Sequence, residues 1–286
     1  MSSPEVTAVD GEHEPKRGRP EEAWPWDRVW ADATPPDHIV QLYQDEDFLG
    51  RAVCRFGVAA LANEESFVLV STVPHWNAWR PRFEAEGVDV DAARQRGQMT
   101  VLDAEEMLSR FMRSGMPHPP TFLGLVSDVV VLARVGGRYP RVRLWGEMVN
   151  VLWERGNVAA SMKLEELYDQ YVGKKLGVAT VCAFLMDNFN PDIHARMLPR
   201  LGMYHSHLIP VEDYARLGRA VADALREAVG EEEARVLEDR LLSEYRQAFD
   251  MPRAEALLLA LRQVRPMVAD PVLQRTGELY VASGAG

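Results

Sequence analysis

Long apolar runs are missing from this chain, cysteine is nearly absent, and positive charge is in deficit. No run of about 18 consecutive apolar residues is read anywhere, so no membrane-spanning helix is expected. The opening stretch "MSSPEVTAVDGEHEPKRGRPEEAWPW" has no apolar centre of the kind a signal peptide needs. Lys and Arg total 32 against 43 Asp and Glu, a formal charge of -11, which excludes phosphate-backbone attraction at the level of the whole chain. The two cysteines, Cys54 and Cys182, lie inside "RAVCRFGVAALA" and "VATVCAFLM", where a free thiol behaves as a small hydrophobe. Such usage suits a reducing compartment. A soluble cytoplasmic protein is therefore expected, with neither nucleic acid nor membrane as a direct partner.

What is present falls into three parts. Residues 1–35 are rich in Pro, Glu, Gly and Ser without hydrophobic periodicity and read as a disordered leader, with Trp24, Trp26 and Trp30 as anchors at its end. Residues 36–211 alternate strands with helices. "HIVQLY", "SFVLVST", "QMTVLD", "RVRLW" and "VATVCAF" read as strands, and a short edge strand is expected near "HSHLIPV". "DEDFLGRAVCRFGVAALANE" and "HWNAWRPRFEAEG" read as helices between them, followed by helices over 104–113, 120–135 and, in two pieces, 147–172. The alternation predicts an α/β fold, a mainly parallel sheet with helices on both faces. Residues 212–286 read as an all-helical extension, with a stripe at Ala234, Leu237, Leu241, Tyr245 and Ala248. It is too thin to bury its own apolar faces and should pack on the body or on a second copy.

A parallel sheet invites a search for the phosphate-binding loop, whose glycines let backbone amides wrap phosphates and whose lysine supplies charge. After "SFVLVST" the chain instead reads "TVPHWNAWRP", with neither glycine nor lysine and with Pro74, which has no amide hydrogen. Nucleotide hydrolysis by that loop is not expected, and no cofactor is. Trp76 and Trp79, three apart, either pack their helix on the sheet or form, with His75, an apolar wall at a strand end.

"HIVQLYQDEDFLGRAVCRF", "GVDVDAARQRGQMTVLDAEEMLSRFM", "VRLWGEMVNVLWERGNVAASMKLEELYDQYV" and "CAFLMDNF" followed by "HSHLIP" together resemble the MEDS domain, the methanogen/methylotroph sensory domain of DcmR-type regulators. The resemblance runs from about His38 to Pro210. It implies a RecA-like, circadian-clock-ATPase-type fold without the phosphate loop. It also implies a role as an input module of bacterial transcription regulators or histidine kinases that senses small hydrocarbon derivatives. The chain has no helix-turn-helix with a basic recognition helix and no kinase motifs, which argues against direct DNA binding and autophosphorylation.

The expected function is accordingly non-enzymatic: a sensor that binds a small, mostly apolar molecule at the carboxyl ends of the strands, where open α/β sheets place ligands. It would signal through its helical tail or through self-association. A degenerate nucleotide-binding protein or an interaction scaffold is the alternative. Glu147, in the "GEMV" motif that the resemblance singles out, either gains from a helix dipole or anchors a ligand. Asn150 stands one turn on, on the same face. Tyr43, Thr72, His75, Trp76 and Trp79 would line the same crevice. His205 and His207 in "HSH" share a side if extended. They are assigned to a pocket or sheet cap, with no metal, because no third ligand stands near them in sequence. Asp45 and Asn157 read as helix caps, and Glu165 and Glu166 as a solvated face.

Overall fold

A computed structural model describes residues 25–244 and 249–284. Residues 1–24, with Trp24, lie outside the described residues, as do Tyr245 and Ala248 of the expected tail stripe. Helix α1 (Pro25–Asp32) precedes the sheet and corrects the reading of an irregular leader over its last stretch. Trp26 and Trp30 are what make that helix stay, since both are almost fully buried against the body. Trp26 Nε1 donates to the carbonyl of Glu212 at 2.7 Å.

The strands are β1 (His38–Tyr43), β2 (Ser66–Ser71), β3 (Met99–Asp103), a two-residue hairpin β4 (Met112–Arg113) and β5 (Met116–Pro117), β6 (Val142–Gly146), β7 (Val178–Leu185) and β8 (His207–Ile209). Six of them form one sheet in the order β3-β2-β6-β7-β1-β8, every pairing parallel. The near-continuous burial of β1, β2, β6 and β7 explains why the sequence shows apolar runs there rather than alternation: both faces are covered, so neither face calls for polar residues.

Coverage divides by direction of travel. From β1 the chain moves toward β3, laying α2 (Glu46–Ala62), α3 (Val73–Ala85) and α4 (Val90–Gln95) with α1 on one face. It then turns back through α5 (Ala104–Phe111), α6 (Pro119–Ala133), α7 (Met148–Glu154) and α8 (Val158–Leu167), which cover the other face. Right-handed crossovers require that reversal to change faces. Helix α8 runs into a π-helical turn, Tyr168–Gly173, and two short helices, α9 (Pro191–Arg196) and α10 (Leu198–Leu201), lead to β8. The hairpin, α9 and α10 have no signature long enough to read from sequence.

The apolar-run expectation is also too narrow. Pro119–Gly137, 19 residues, is long and apolar enough by length and composition to cross a membrane. Its Phe122, Val126 and Val130 pack in the core on the sheet, while Val131 and Leu132 are exposed.

The tail comprises α11 (Tyr214–Val229), α12 (Glu231–Glu244), α13 (Arg253–Val264) and α14 (Pro266–Ala282) around its own core of Leu217, Val221, Leu225, Leu258 and Val272. It does lean on the body. The Asp250 amide donates to the Ser206 carbonyl (2.8 Å) and the Leu208 amide to the Asp250 carbonyl (2.7 Å), so the tail adds one rung to β8 and blunts that edge. Gly277 of α14 lies so close to Phe189 that an added Cβ would sit 2.8 Å from its Cβ, hence the glycine there.

Candidate functional site

Strands β2 and β6 are neighbours, yet the helices that follow them, α3 and α7, leave toward opposite faces. The divergence opens a crevice of about 400 Å³ at the carboxyl ends of the strands. Its centre is Glu147, 2% exposed, the residue between β6 and α7. Its carboxylate does not cap its own helix. Instead Oε2 accepts the Thr72 amide at 2.8 Å and Oε1 stands 2.5 Å from His75 Nδ1. Thr72 is the N-cap of α3, so the carboxylate lies at the positive end of the neighbouring helix rather than at its own. The other ring nitrogen, His75 Nε2, is 3.1 Å from Glu46 Oε2.

Behind His75 stands Trp79, buried, its ring stacked at a centroid distance of 4.8 Å. Trp79 packs in the core beneath α3 and the half-buried Trp76 packs against that core, and neither lines the crevice. The expected apolar wall is therefore replaced by a polar one: the lining carries the carboxylates of Glu46, Asp103, Glu105, Glu147 and Glu154, with Val73, Pro74 and Val151 as its apolar part.

Asn150 is buried and fully engaged. Its Oδ1 accepts the Leu185 amide (2.8 Å), and its Nδ2 donates to Tyr43 Oη (3.1 Å) and Glu154 Oε2 (2.9 Å). Asn150 thus ties the ends of β1 and β7 to α7, and it shares no partner with Glu147 although the two follow one helix face. Of the expected site residues, Tyr43, Thr72, His75, Glu147 and Asn150 meet in the crevice. Glu46 and Glu154 went unread because an acid near a helix terminus is ordinary.

His205 and His207 part company. His207 pairs with Ser206 Oγ (2.8 Å) and Asp250 (3.3 Å) beside the tail, whereas His205 is buried under the sheet. Glu165, read as solvated, is in fact 0% exposed; Glu166, partly exposed, pairs with Lys163. The caps hold: Asp45 accepts the Asp47 amide, and Asn157 the Ala160 amide.

Burial opposes charge on His75, but the hydrogen bond and charge of Glu147, helped by Glu46 and Glu154, outweigh it and raise the imidazole above its ordinary 6.5. Burial likewise pushes the Glu147 carboxyl up, against the pull of His75 and of the Thr72 amide. The folded site thus holds protons more firmly than the unfolded chain does. Stability contributed by His75 is full below pH 6.5 and is lost as pH rises through the raised pKa. The stability lost on His75→Gln, taken from urea unfolding of both proteins across pH, is expected to be largest on the acid side and to shrink above neutrality. A loss that grows with pH would contradict the pairing.

Chemically, the arrangement is a hydrogen-bonded carboxylate–imidazole pair at a strand-end crevice, the carboxylate buried and the imidazole partly exposed. Residues 37–199 match the family described as MEDS, MEthanogen/methylotroph, DcmR Sensory domain. No curated protein matches the chain. The match spans more than half of the 286 residues and covers all of the sheet except β8, along with every lining residue of the crevice, and the chain therefore belongs to the MEDS family of sensory domains.

Proposed function

We propose that this chain is a non-enzymatic regulatory protein that captures a small organic molecule in the strand-end crevice and reports its presence through the helical tail or self-association. The observation that carries the reading is the Glu147–His75 pair, in which a buried carboxylate at a strand end is held by the Thr72 amide and the His75 imidazole in the lining of the crevice. A preformed polar anchor beside a modest apolar lip suits a ligand with one hydrogen-bonding end and a short hydrocarbon part. Five lining carboxylates against one histidine repel a polyphosphate, which weighs against the nucleotide alternative.

Thermal-shift measurements with small alcohols, amines and other short hydrocarbon derivatives, alongside native mass spectrometry of the gently purified protein, test this. A compound that binds only the folded state raises the melting temperature in proportion to its saturation. The rise is expected for wild type, to be lost in Glu147→Gln, and to be absent with magnesium–ATP. If nothing copurifies and nothing stabilises, the reading fails.

A second seat has one specific observation in its favour. A larger cavity, about 940 Å³, lies between β8 and helices α11 and α13, bordered by Leu208, Tyr214, Val221, Ala222 and Leu257. It touches both sensory body and tail, and its lining also carries His207, Asp213, Arg219, Glu238, Asp250 and Arg253. Ala222→Trp would fill it and Val151→Trp would fill the crevice; the variant that abolishes the thermal shift identifies the seat.

A further inference from the structure

At the amino-terminal half of the sheet, on the face covered by α8, four buried side chains from four separate pieces of chain converge. His38 opens β1, Glu165 comes from α8, Cys182 from the middle of β7, and His205 from the loop before β8. Their donor atoms all lie within 4.8 Å of one another. His38 Nε2 is 3.2 Å from Glu165 Oε2 and 3.4 Å from Cys182 Sγ, and His205 Nε2 is 3.3 Å from the same Glu165 oxygen. A tetrahedral ion with bonds of about 2.0–2.3 Å separates its ligand atoms by about 3.3–3.8 Å, so these spacings are close to the edges of one coordination tetrahedron.

The protonation pattern agrees with the spacing. His38 Nδ1 donates to the Tyr204 carbonyl at 2.8 Å, and His205 Nδ1 donates to the Leu201 carbonyl at 2.7 Å. With Nδ1 committed in both rings, each Nε2 presents a bare lone pair to the centre, which is how metal-bound histidines are oriented by their outer partners. Both oxygens of Glu165 and Nε2 of His205 are buried without a hydrogen-bond partner in the protein, close to each other yet not aligned as donor and acceptor. With both imidazoles neutral, acceptors converge here and the Cys182 thiol brings the one hydrogen among them. A cation at their common focus relieves this.

We propose that His38, Glu165, Cys182 and His205 bind one zinc ion as a closed, four-ligand structural site. Two imidazoles, a thiolate and a carboxylate form a borderline-soft donor set, and the two anionic ligands balance the charge of a divalent ion in a site with no water to help. Loading replaces the Cys182 thiol proton, which leaves to solvent. The ion would staple β1, β7, α8 and the β8 approach together, and none of its four ligands lines the strand-end crevice, so the proposal stands whether or not the crevice binds a ligand.

The test uses the full chain, free of any histidine tag, expressed with zinc in the medium and analysed by elemental mass spectrometry. About one equivalent of zinc per chain is expected. The protein is then unfolded with chelator and refolded with cobalt(II) in place of zinc, and a thiolate-to-cobalt charge-transfer band with intense tetrahedral visible absorption should appear. Cys182→Ser should lose that band, and Glu165→Gln should lower the metal content. If either variant fails to fold, the wild-type cobalt spectrum decides alone. Zinc below about one-tenth of an equivalent together with no cobalt uptake on refolding would overturn the proposal and leave protons as what holds the cluster. Metal bound without a thiolate band would overturn it equally, because Cys182 would not be a ligand.

Discussion

Arg143→Ala is expected to cost about 3–5 kcal/mol of folding stability, because it leaves a carboxylate buried without its main partner. Arg143 on β6 is 2% exposed and Glu65, before β2, is 3% exposed. The guanidinium Nε pairs directly with Glu65 Oε2. Its other nitrogens donate to the Trp30 carbonyl at 2.5 Å and the Ala31 carbonyl at 3.0 Å. These are the last turns of α1, whose carbonyls have no partner within the helix. One side chain therefore neutralises a buried acid and closes the C-terminus of the N-terminal helix, with its guanidinium 5.4 Å from the centre of the Phe56 ring. Arg141, 3.0 Å from the other Glu65 oxygen, is 55% exposed and can compensate only in part. Urea unfolding should show the loss at an unchanged denaturant slope, with protease cutting earlier near residues 25–35. Adding Glu65→Leu to Arg143→Ala should restore part of the stability, since no buried charge then remains. A loss under about 1 kcal/mol would mean that Arg141 alone satisfies the acid.

The second large effect is expected at the joint between body and tail. Glu255 of α13 is 0% exposed, 3.0 Å from His194 Nε2 on α9 and accepting from Asn188 Nδ2 at 2.9 Å. Arg262 Nε donates to His194 Nδ1 at 3.2 Å, so that nitrogen is the acceptor and Nε2 carries the hydrogen that faces Glu255. Glu255→Ala leaves the Asn188 amide buried without its acceptor and removes the carboxylate that stands 3.0 Å from His194 Nε2, again at a cost of about 3–5 kcal/mol. The loss falls on the contact between units, so limited proteolysis should release the tail by cutting between β7 and α11 before the sheet unfolds. In the proposed sensor, this joint is also the physical route by which the body can bias the tail, so the ligand-induced thermal shift should survive while any change in self-association is lost. Proteolysis indistinguishable from wild type would show that the apolar contacts of Phe189 and Tyr214 hold the tail without the acid.

Much of the strand-end site could be read in advance because it is local. Tyr43, Thr72, His75, Glu147 and Asn150 all follow strand ends, and strand ends are visible as the boundary between an apolar run and a capped helix. Two details escaped. The direction of the Glu147 carboxylate, across to Thr72 and His75 rather than onto its own helix, depends on β2 and β6 being neighbours. The packing of Trp79 into the core and of Trp76 against it depends on how α3 lies against the sheet, and with it the crevice gained acidic residues in place of the expected aromatic wall. Glu165 was misread for a related reason: Glu165 and Glu166 are adjacent on one helix, and only the packing partner decides which of them turns inward.

Properties that depend on spacings of two to four residues were therefore legible in the chain alone: six apolar strands, the caps at Asp45 and Asn157, the missing glycine-lysine loop, the helical tail and the sensory-domain motifs. Hydrogen bonding within a helix or a cap acts over that same short range, so composition and periodicity carry the information. The order β3-β2-β6-β7-β1-β8 has no such local record. That order sets Cys182 beside His38 across 144 residues and brings Glu165 and His205 to the same point. His205, which the sequence sets beside His207 without a nearby third ligand, joins His38, Glu165 and Cys182 only when the parallel sheet closes, because convergence of side chains is fixed by which strands pair and which face each helix covers.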